Sequence, residues 1–285
     1  MQLDLKKVRE IVRIALAEDI GTDDITTKSI FSPTEVAQAK IVAKDNCIIS
    51  GLAVAREVFK TLDKKCIWRA KYKDGVKVKA KRTVATVRGR AHAILSGERT
   101  ALNFLSEMSG IATLTNKFVN KVKKYNIEIF DTRKTSPGLR MIEKYAVTCG
   151  GGKNHRMGLY DMILVKDNHI RLCRQRKIPI AQVLNSLRGR ILRGTKIEFE
   201  AQSLRDVELA LNSELDIIML DNMDYKTLKK AIKMIRKSKK DVIIEISGGI
   251  NLKNIEKIAK LRPDRISLGE ITNSAPAIDF SLEII

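Results

Sequence analysis

The sequence predicts an α/β protein: an N-terminal α+β sandwich domain followed by a TIM-like α/β barrel, open or incomplete. From residue 128 onward, short apolar runs rich in β-branched residues alternate with helix-length amphipathic segments. Repeats of that length imply parallel strands joined by right-handed crossovers. Before residue 109 the rhythm differs, with alternating runs and isolated amphipathic helices. Residues suited to binding a ligand end nearly every run in the second part, as a pocket at the carboxyl ends of barrel strands requires.

Taken in order, Leu5, Val8, Val12 and Leu16 form one stripe among interspersed acids and bases, so the first helix is amphipathic and not a signal peptide. Residues 37–43 read as a strand and 52–62 as a helix. Residues 68–87 read as a hairpin turning at Lys73-Asp74-Gly75. From 96 to 124 the pattern is helical, with a break expected near Ser109-Gly110. Strands follow at 128–130, 162–165, 196–199, 216–220, 242–246 and 265–268, and the clearest helices between them are 204–211, 225–237 and 252–260. The expected division is 1–108, an α+β domain; 109–275, the barrel; and 276–285, a segment packing back on the first domain.

A chain of 285 residues, 44% hydrophobic and 31% charged, can bury the core of one large domain or two smaller ones. Its apolar runs are far too short to span a bilayer. Cys47, Cys66, Cys149 and Cys173 form no Cys-x-x-Cys pair, which suggests reduced, buried thiols in a cytoplasmic protein. The net charge of +21 could signal nucleic acid, a membrane surface or small polyanions. The lysines of 226–237, however, fill the outer face of a predicted helix, as ordinary surface lysines do. Aromatics are 5% and are not interleaved with basic residues, so a single-strand binding platform is not expected. Neither nucleic acid nor membrane is an expected partner.

The segment 128–169 is the most informative. Arg133 and Lys134 follow one apolar run and Lys166 another, a pattern that suggests a pocket for an anion. His155, between Asn154 and Arg156 just past Gly150-Gly151-Gly152, is either structural or an anion ligand. His169 reads as a brace for a strand end and His92 as structural. Ser247-Gly248-Gly249 and Ser267-Leu268-Gly269 either turn the chain tightly or offer backbone amides to a phosphate. Glu200 and Asp221 end successive strands, as salt-bridge partners or as ligands for Mg²⁺ or ribose hydroxyls. Glu143 and Lys144 read as surface or interhelix pairs.

A family resemblance enters with longer motifs. Ala17-Glu-Asp-Ile-Gly-Thr-Asp-Asp-Ile-Thr-Thr27, Ser96-Gly-Glu-Arg-Thr-Ala-Leu-Asn103 and Ser109-Gly-Ile-Ala-Thr113 come first. Asp131-Thr-Arg-Lys-Thr135 with Pro137-Gly138, Gly150-Gly-Gly152 with His155-Arg156, and Lys166-Asp-Asn-His169 follow. Ile197-Glu-Phe-Glu200, Leu220-Asp-Asn222 and Ser247-Gly-Gly249 complete the set. In this order and over nearly the whole length, the chain resembles the quinolinate phosphoribosyltransferases, also called nicotinate-nucleotide pyrophosphorylases (carboxylating).

The resemblance implies phosphoribosyl transfer from phosphoribosyl pyrophosphate to quinolinate with decarboxylation, giving nicotinate mononucleotide, pyrophosphate and carbon dioxide on the route to NAD. It implies that Arg133, His155 and Arg156 hold the quinolinate, with Thr132 and Lys166 close by. Lys134 would contact phosphoribosyl pyrophosphate, and Glu200 and Asp221 would take ribose hydroxyls and Mg²⁺; these three are the expected catalytic residues. Ser247, Gly248 and Gly249 with Ser267, Leu268, Gly269 and Asn273 would take the 5′-phosphate. Arg99 would reach the site of a neighbouring subunit, making a homodimer, and possible higher oligomers, part of the expectation. One stretch departs from the family: relatives commonly read Ser-x-Gly-Ala-Leu-Thr-His-Ser where this chain has Ser267-Leu-Gly-Glu-Ile-Thr-Asn-Ser274. Glu270 brings a carboxylate near that phosphate and Asn273 replaces a potential cation. A paralogue of the same fold, such as the molybdenum-transport-associated relatives, is disfavoured because Arg99, Arg133, His155 and Arg156 are all present.

Overall fold

A computed structural model describes residues 2–238 and 240–285. Asp4 and Asp24 open the first two helices, α1 (Leu5–Ile20) and α2 (Ile25–Ile30). Each carboxylate accepts a first-turn backbone N–H at 2.9 Å, from Lys6 and from Thr27. Val8, Val12 and Leu16 are buried at the expected helical spacing. Leu5 is exposed, because it begins the helix ahead of the packed turns. The chain continues through β1 (Val36–Ala43), β2 (Cys47–Ile48), α3 (Leu52–Leu62), β3 (Ile67–Ala70), β4 (Lys77–Val78), β5 (Arg82–Arg90) and α4 (Ala91–Val122). Next come β6 (Glu128–Phe130), α5 (Arg140–Cys149), β7 (Ile163–Val165), α6 (Asp167–Gln175), α7 (Ile180–Leu187), β8 (Ile197–Ala201) and α8 (Leu204–Leu211). The last elements are β9 (Ile217–Asp221), α9 (Tyr225–Lys237), β10 (Ile243–Ser247), α10 (Ile255–Ala259), β11 (Arg265–Ser267), α11 (Glu270–Asn273) and β12 (Phe280–Ile284).

These elements form two compact units that interleave along the chain. One gathers Met1–Asn116, Lys134–Gly152 and Glu270–Ile285; the other gathers Lys117–Arg133 and Lys153–Gly269. The first unit holds a four-stranded antiparallel sheet ordered β12-β1-β5-β3, so the C-terminal strand pairs with β1. Trp68 on β3 stands opposite Val87 on β5, but their connection is no simple hairpin: β4 leaves it to pair with β2. Asp74, expected in a turn, has another task. Helix α3 begins after Gly51, which has no side chain to cap it, and Asp74 accepts the Gly51 and Leu52 N–H groups at 3.1 and 3.2 Å.

The break expected near Ser109-Gly110 does not occur, since α4 runs unbroken through both. A Cβ on Gly110 would lie 2.4 Å from the Pro276 carbonyl oxygen, so this glycine admits a neighbouring backbone instead of ending the helix. Glu143 and Lys144, expected near the surface, are fully buried on α5. The Glu143 carboxylate accepts the Ser136 N–H at 2.8 Å, and burial followed by the Glu143 charge pushes neighbouring Glu107 up to about 7. Cys47 and Cys66 are buried and Cys149 and Cys173 half-buried, all as free thiols. Burial pushes the Cys47 and Cys66 thiols up to about 11, which suppresses the reactive thiolate.

The second unit is built on a six-stranded parallel sheet ordered β6-β11-β10-β9-β8-β7. Among the described residues β6 and β7 do not pair with each other, so the ladder is open at that seam. β8 is buried at all five positions, its apolar residues alternating with Glu198 and Glu200. Ridges of β-branched residues explain the parallel strands, and the lysine-rich α9 turns Leu228, Ala231, Ile232 and Ile235 inward.

In the first unit Gly150 packs against α4: an added Cβ would meet the Ala112 carbonyl oxygen at 2.4 Å and the Thr115 Cβ at 2.6 Å. Gly150→Ala is expected to lower stability by about 1–3 kcal/mol through overpacking. Thermal unfolding checks this, and an unchanged midpoint would show that the contact is not constraining.

Candidate functional site

In the second unit, the carboxyl ends of the parallel strands carry most of the residues singled out in the sequence. Asp131 follows β6 and Lys166 follows β7; Glu200 is the penultimate residue of β8; Asp221, Ser247 and Ser267 close β9, β10 and β11. Register aligns them, with Ser247 opposite Asp221 and Glu200 opposite Met219. Because alternate residues of a strand share a face, Glu198 and Glu200 point the same way, as do Glu245 and Ser247, and Arg265 and Ser267.

The anion-facing part begins at Asp131, which is fully buried. One oxygen accepts the His155 backbone N–H at 2.8 Å and the other the Asn154 side-chain amide at 2.6 Å. The Phe130–Lys153 bridge holds the same loop against the edge of β6. Next along the chain, the Arg156 N–H donates to His155 Nδ1 at 2.8 Å and its Nη1 donates to the Met162 carbonyl at 3.1 Å. Arg156 is drawn below its ordinary value first by burial and then by the charge of Arg133. Two guanidinium groups near enough to repel, both half-buried, make a place where a dianion relieves the repulsion.

Across the strand ends, Lys166 Nζ lies 3.6 Å from Glu200. Burial raises the Glu200 carboxyl; Lys166 opposes that, and the charge of Asp221 adds to it. Two neighbouring carboxylates with an oxygen-only donor set suit a hard divalent cation such as Mg²⁺. Asp221 accepts the Asn222 amide at 2.7 Å. Gly248 is required here: it sits at φ +86°, and a Cβ would lie 2.2 Å from Asn222 Oδ1 and 2.9 Å from its backbone nitrogen. Gly249 also has positive φ, with open space around it. Ser267 and Leu268 are buried, and the Leu268 N–H donates to the Phe130 carbonyl at 2.9 Å.

Other expected site residues belong to the first unit. Arg99 is exposed on α4. Lys134 is exposed, and its carbonyl accepts the Thr272 hydroxyl at 2.7 Å, tying that loop to α11. Asn273 is exposed and accepts the Ser274 hydroxyl. In the second unit His169 accepts the Lys166 N–H at 3.0 Å through Nδ1, bracing the strand end; in the first, His92 lies 2.9 Å from the Phe31 carbonyl.

The sequence reading missed a layer of charge two residues deeper along the strands. Glu198, Glu245 and Arg265 are buried together with His155. His155 Nε2 is 3.0 Å from Glu198 and 3.7 Å from Glu245, and Arg265 pairs closely with Glu245 while reaching Glu198 at 3.5 Å. The Arg265 guanidinium also lies 4.7 Å from the Phe130 ring centroid. Burial pushes Glu198 up to about 7, against the pull of Arg265, and Glu245 up to about 6. The ligand atoms of His155, Glu198 and Glu245 lie within 4.8 Å of one another, as in a metal site, but Arg265 already supplies the cation. The available sequence signal was a charge at the same parity as a site residue, inside an otherwise apolar strand.

Comparison with known proteins agrees with this geometry. Residues 24–109 match the family profile described as quinolinate phosphoribosyl transferase, N-terminal domain, and 111–283 match the C-terminal domain. A Synechocystis protein named probable nicotinate-nucleotide pyrophosphorylase (carboxylating) is 40% identical, covering 95% of this chain and 90% of its own. A protein of the same name from Methanocaldococcus jannaschii is 38% identical, covering 97% and 96%. The solved nicotinate-nucleotide pyrophosphorylase from Francisella tularensis superposes with a TM-score of 0.91 at 37% identity, covering all of this chain and 98% of that one.

The charge layer generates a stability prediction. Arg265→Met strands two buried carboxyls and should cost about 3–5 kcal/mol at neutral pH. Both carboxyls have folded values above their ordinary 4.5, so the folded state favours their protonated forms. Their contribution is fully present at low pH and is lost as pH rises through about 6 and about 7. The deficit of the variant should therefore shrink as pH falls below that window. Urea unfolding across a pH series tests it; a pH-independent deficit would contradict the charge assignment.

Proposed function

The chain belongs to the quinolinate phosphoribosyltransferase family, and from that premise we propose that it transfers phosphoribose from phosphoribosyl pyrophosphate to quinolinate and decarboxylates the product. The products are nicotinate mononucleotide, pyrophosphate and carbon dioxide. The observation that carries this reading is the half-buried arginine pair Arg133 and Arg156, whose mutual repulsion fits an acceptor bearing two carboxylates.

In this reading Arg133 and Arg156 bind the quinolinate carboxylates, with Thr132, His155 and Lys166 completing that subsite. Planar guanidinium groups match carboxylate geometry better than point charges do. Glu200 and Asp221 hold the ribose hydroxyls and Mg²⁺, which supplies neutralising charge to the pyrophosphate when bound. Lys134 contacts phosphoribosyl pyrophosphate. Ser247, Gly248 and Gly249, with Ser267, Leu268, Gly269 and Asn273, bind the 5′-phosphate; the positive φ of Gly248 and Gly249 supports a backbone cradle.

Chemistry then follows from position and fixed charge, without a covalent nucleophile. The C1′–pyrophosphate bond breaks as cationic character develops on the ribose, and the pyridine nitrogen closes the new N–C1′ bond. The ring becomes a pyridinium. When the 2-carboxylate leaves as carbon dioxide, its bonding pair stays on C2, stabilised by the adjacent cation, and is then protonated. Arg99, exposed on α4, would serve the site of a neighbouring subunit in a homodimer. No described helix is long and apolar enough to cross a membrane, and four free thiols suit a reducing, cytoplasmic setting.

Purified protein with Mg²⁺ and phosphoribosyl pyrophosphate should consume quinolinate and release carbon dioxide. Failure to do so while accepting nicotinate would overturn the assignment. Arg133→Ala should lower kcat/KM for quinolinate at least about a hundredfold, the worth of a bidentate charged contact, while phosphoribosyl pyrophosphate still binds. Asn273→His should tighten phosphoribosyl pyrophosphate by up to about fivefold below the ordinary histidine pKa, as one exposed ionic contact would. A titration showing no change would remove Asn273 from the phosphate site.

A further inference from the structure

The loop leading into α5 carries Lys134, and three hydrogen bonds fasten it. The Lys134 carbonyl accepts the Thr272 hydroxyl at 2.7 Å, and Arg140 Nε donates to the Thr135 hydroxyl oxygen at 3.0 Å. Glu143 Oε1 accepts the Ser136 N–H at 2.8 Å. The last contact differs from the others, because Glu143 is fully buried and its carboxyl has lost the water that would otherwise solvate it. A backbone N–H donating to a buried carboxylate is a charge-assisted bond and holds its position firmly. Lys134 therefore leaves the main chain between two anchored points, its own carbonyl and the Ser136 N–H.

The other Glu143 oxygen, Oε2, is buried and receives no N–H or hydroxyl donor. A second carboxyl reaches Glu143 instead: Glu107, half-buried on α4. Two acids in hydrogen-bond contact stay together only while one of them keeps its proton. Their contact lowers Glu143 and raises Glu107, so the shared proton belongs to Glu107. Burial, and then the Glu143 charge, push Glu107 up to about 7. Arg140 on α5 draws Glu143 down, against the effect of burial. From α1, Glu18 and Asp19 share with Glu107 a cavity of about 400 Å³, which Pro137, Gly138 and Leu139 of the loop also line.

We propose that Glu143 and Glu107 are positioning residues for the phosphoribosyl donor: Glu143 fastens the Lys134 loop through Ser136, and a proton held on Glu107 keeps Glu143 in place. Loss of that proton to water sets two carboxylates against each other beside Ser136 and loosens the loop. Glu107 sits above its ordinary 4.5, so the clamp is complete on the acid side and is lost as pH rises through about 7. The inference deepens the proposed function and rests on the reading that Lys134 contacts phosphoribosyl pyrophosphate.

Steady-state kinetics on the full chain test it. Glu107→Gln replaces the titrating acid with an amide that donates at every pH. At about pH 6 this variant and the native chain should share one KM for phosphoribosyl pyrophosphate. At about pH 8.5 the native KM should be about tenfold the higher, as loss of a charged hydrogen bond makes it, with KM for quinolinate alike in both chains. Comparing the two in the same buffer cancels the titration of the substrates. Identical pH profiles overturn the proposal. Glu143→Leu strands the Ser136 N–H and should raise KM for phosphoribosyl pyrophosphate about tenfold at about pH 6. Glu143→Gln, which can still accept from Ser136, should recover most of that. A folded Glu143→Leu with unaltered KM also overturns the proposal; if that variant does not fold, the Glu107→Gln profile decides. Lys134→Ala run in parallel separates the two readings. An unchanged KM for phosphoribosyl pyrophosphate there defeats the assignment of Lys134 itself, whereas a raised KM beside identical Glu107→Gln and native profiles defeats only the positioning role.

Discussion

Two carboxyls and one guanidinium buried inside a parallel sheet constrain what stands above them. Glu245 lies directly across from Arg265 in the β10–β11 register, so the pair is brought together by strand pairing itself. Glu198 enters from β8 and His155 from the loop after Lys153. An arrangement drawn from three strands and a loop forms only when all of them are in register. The same register sets Asp221 beside Ser247 and places Glu200 at the mouth. Charge deep in the sheet and ligand-facing residues at its rim are two consequences of one alignment.

Above that layer, the electrostatics divide the rim. Near the end of β6, the Arg133 charge is felt at Arg156, where the carboxylates of Glu198 and Asp161 oppose it. Near β8 and β9 the balance is the reverse, with burial and the charge of Asp221 raising Glu200 against Lys166. In the proposed reading one side takes anions and the other a cation or hydroxyls. A reaction that joins a dicarboxylate to a ribose carrying pyrophosphate needs both kinds of surface, because its charged groups must be separated and held before bonds change.

Much of the architecture was legible because short-range patterns carry it. The β-branched runs became β6 to β11 within a residue or two, and α3, α8 and α9 fall where their apolar spacing puts them. The motif residues at the strand ends were legible too, since a glycine after a strand or a cation after an apolar run stands out locally. Less legible were residues whose meaning depends on distant partners. Gly110 looks like a helix breaker until Pro276 is seen against it; Asp74 sits in a turn as expected, and its second task, capping α3, shows only in the tertiary structure. Glu143 and Lys144 look like surface charges until α5 is seen to be buried.

The sequence by itself determined the element order, the parallel repeat, the family, and the identity of the groups at the strand ends. Those follow from periodicity of about two or 3.6 residues and from local turn chemistry, which neighbours along the chain suffice to express. The tertiary structure alone decided which charges are buried together and which way His155 faces. Burial and pairing between β8, β10 and β11 depend on strand register, and register joins residues far apart in sequence. A glutamate inside an apolar run reads the same on paper whether it faces water, a helix, or an arginine two strands away.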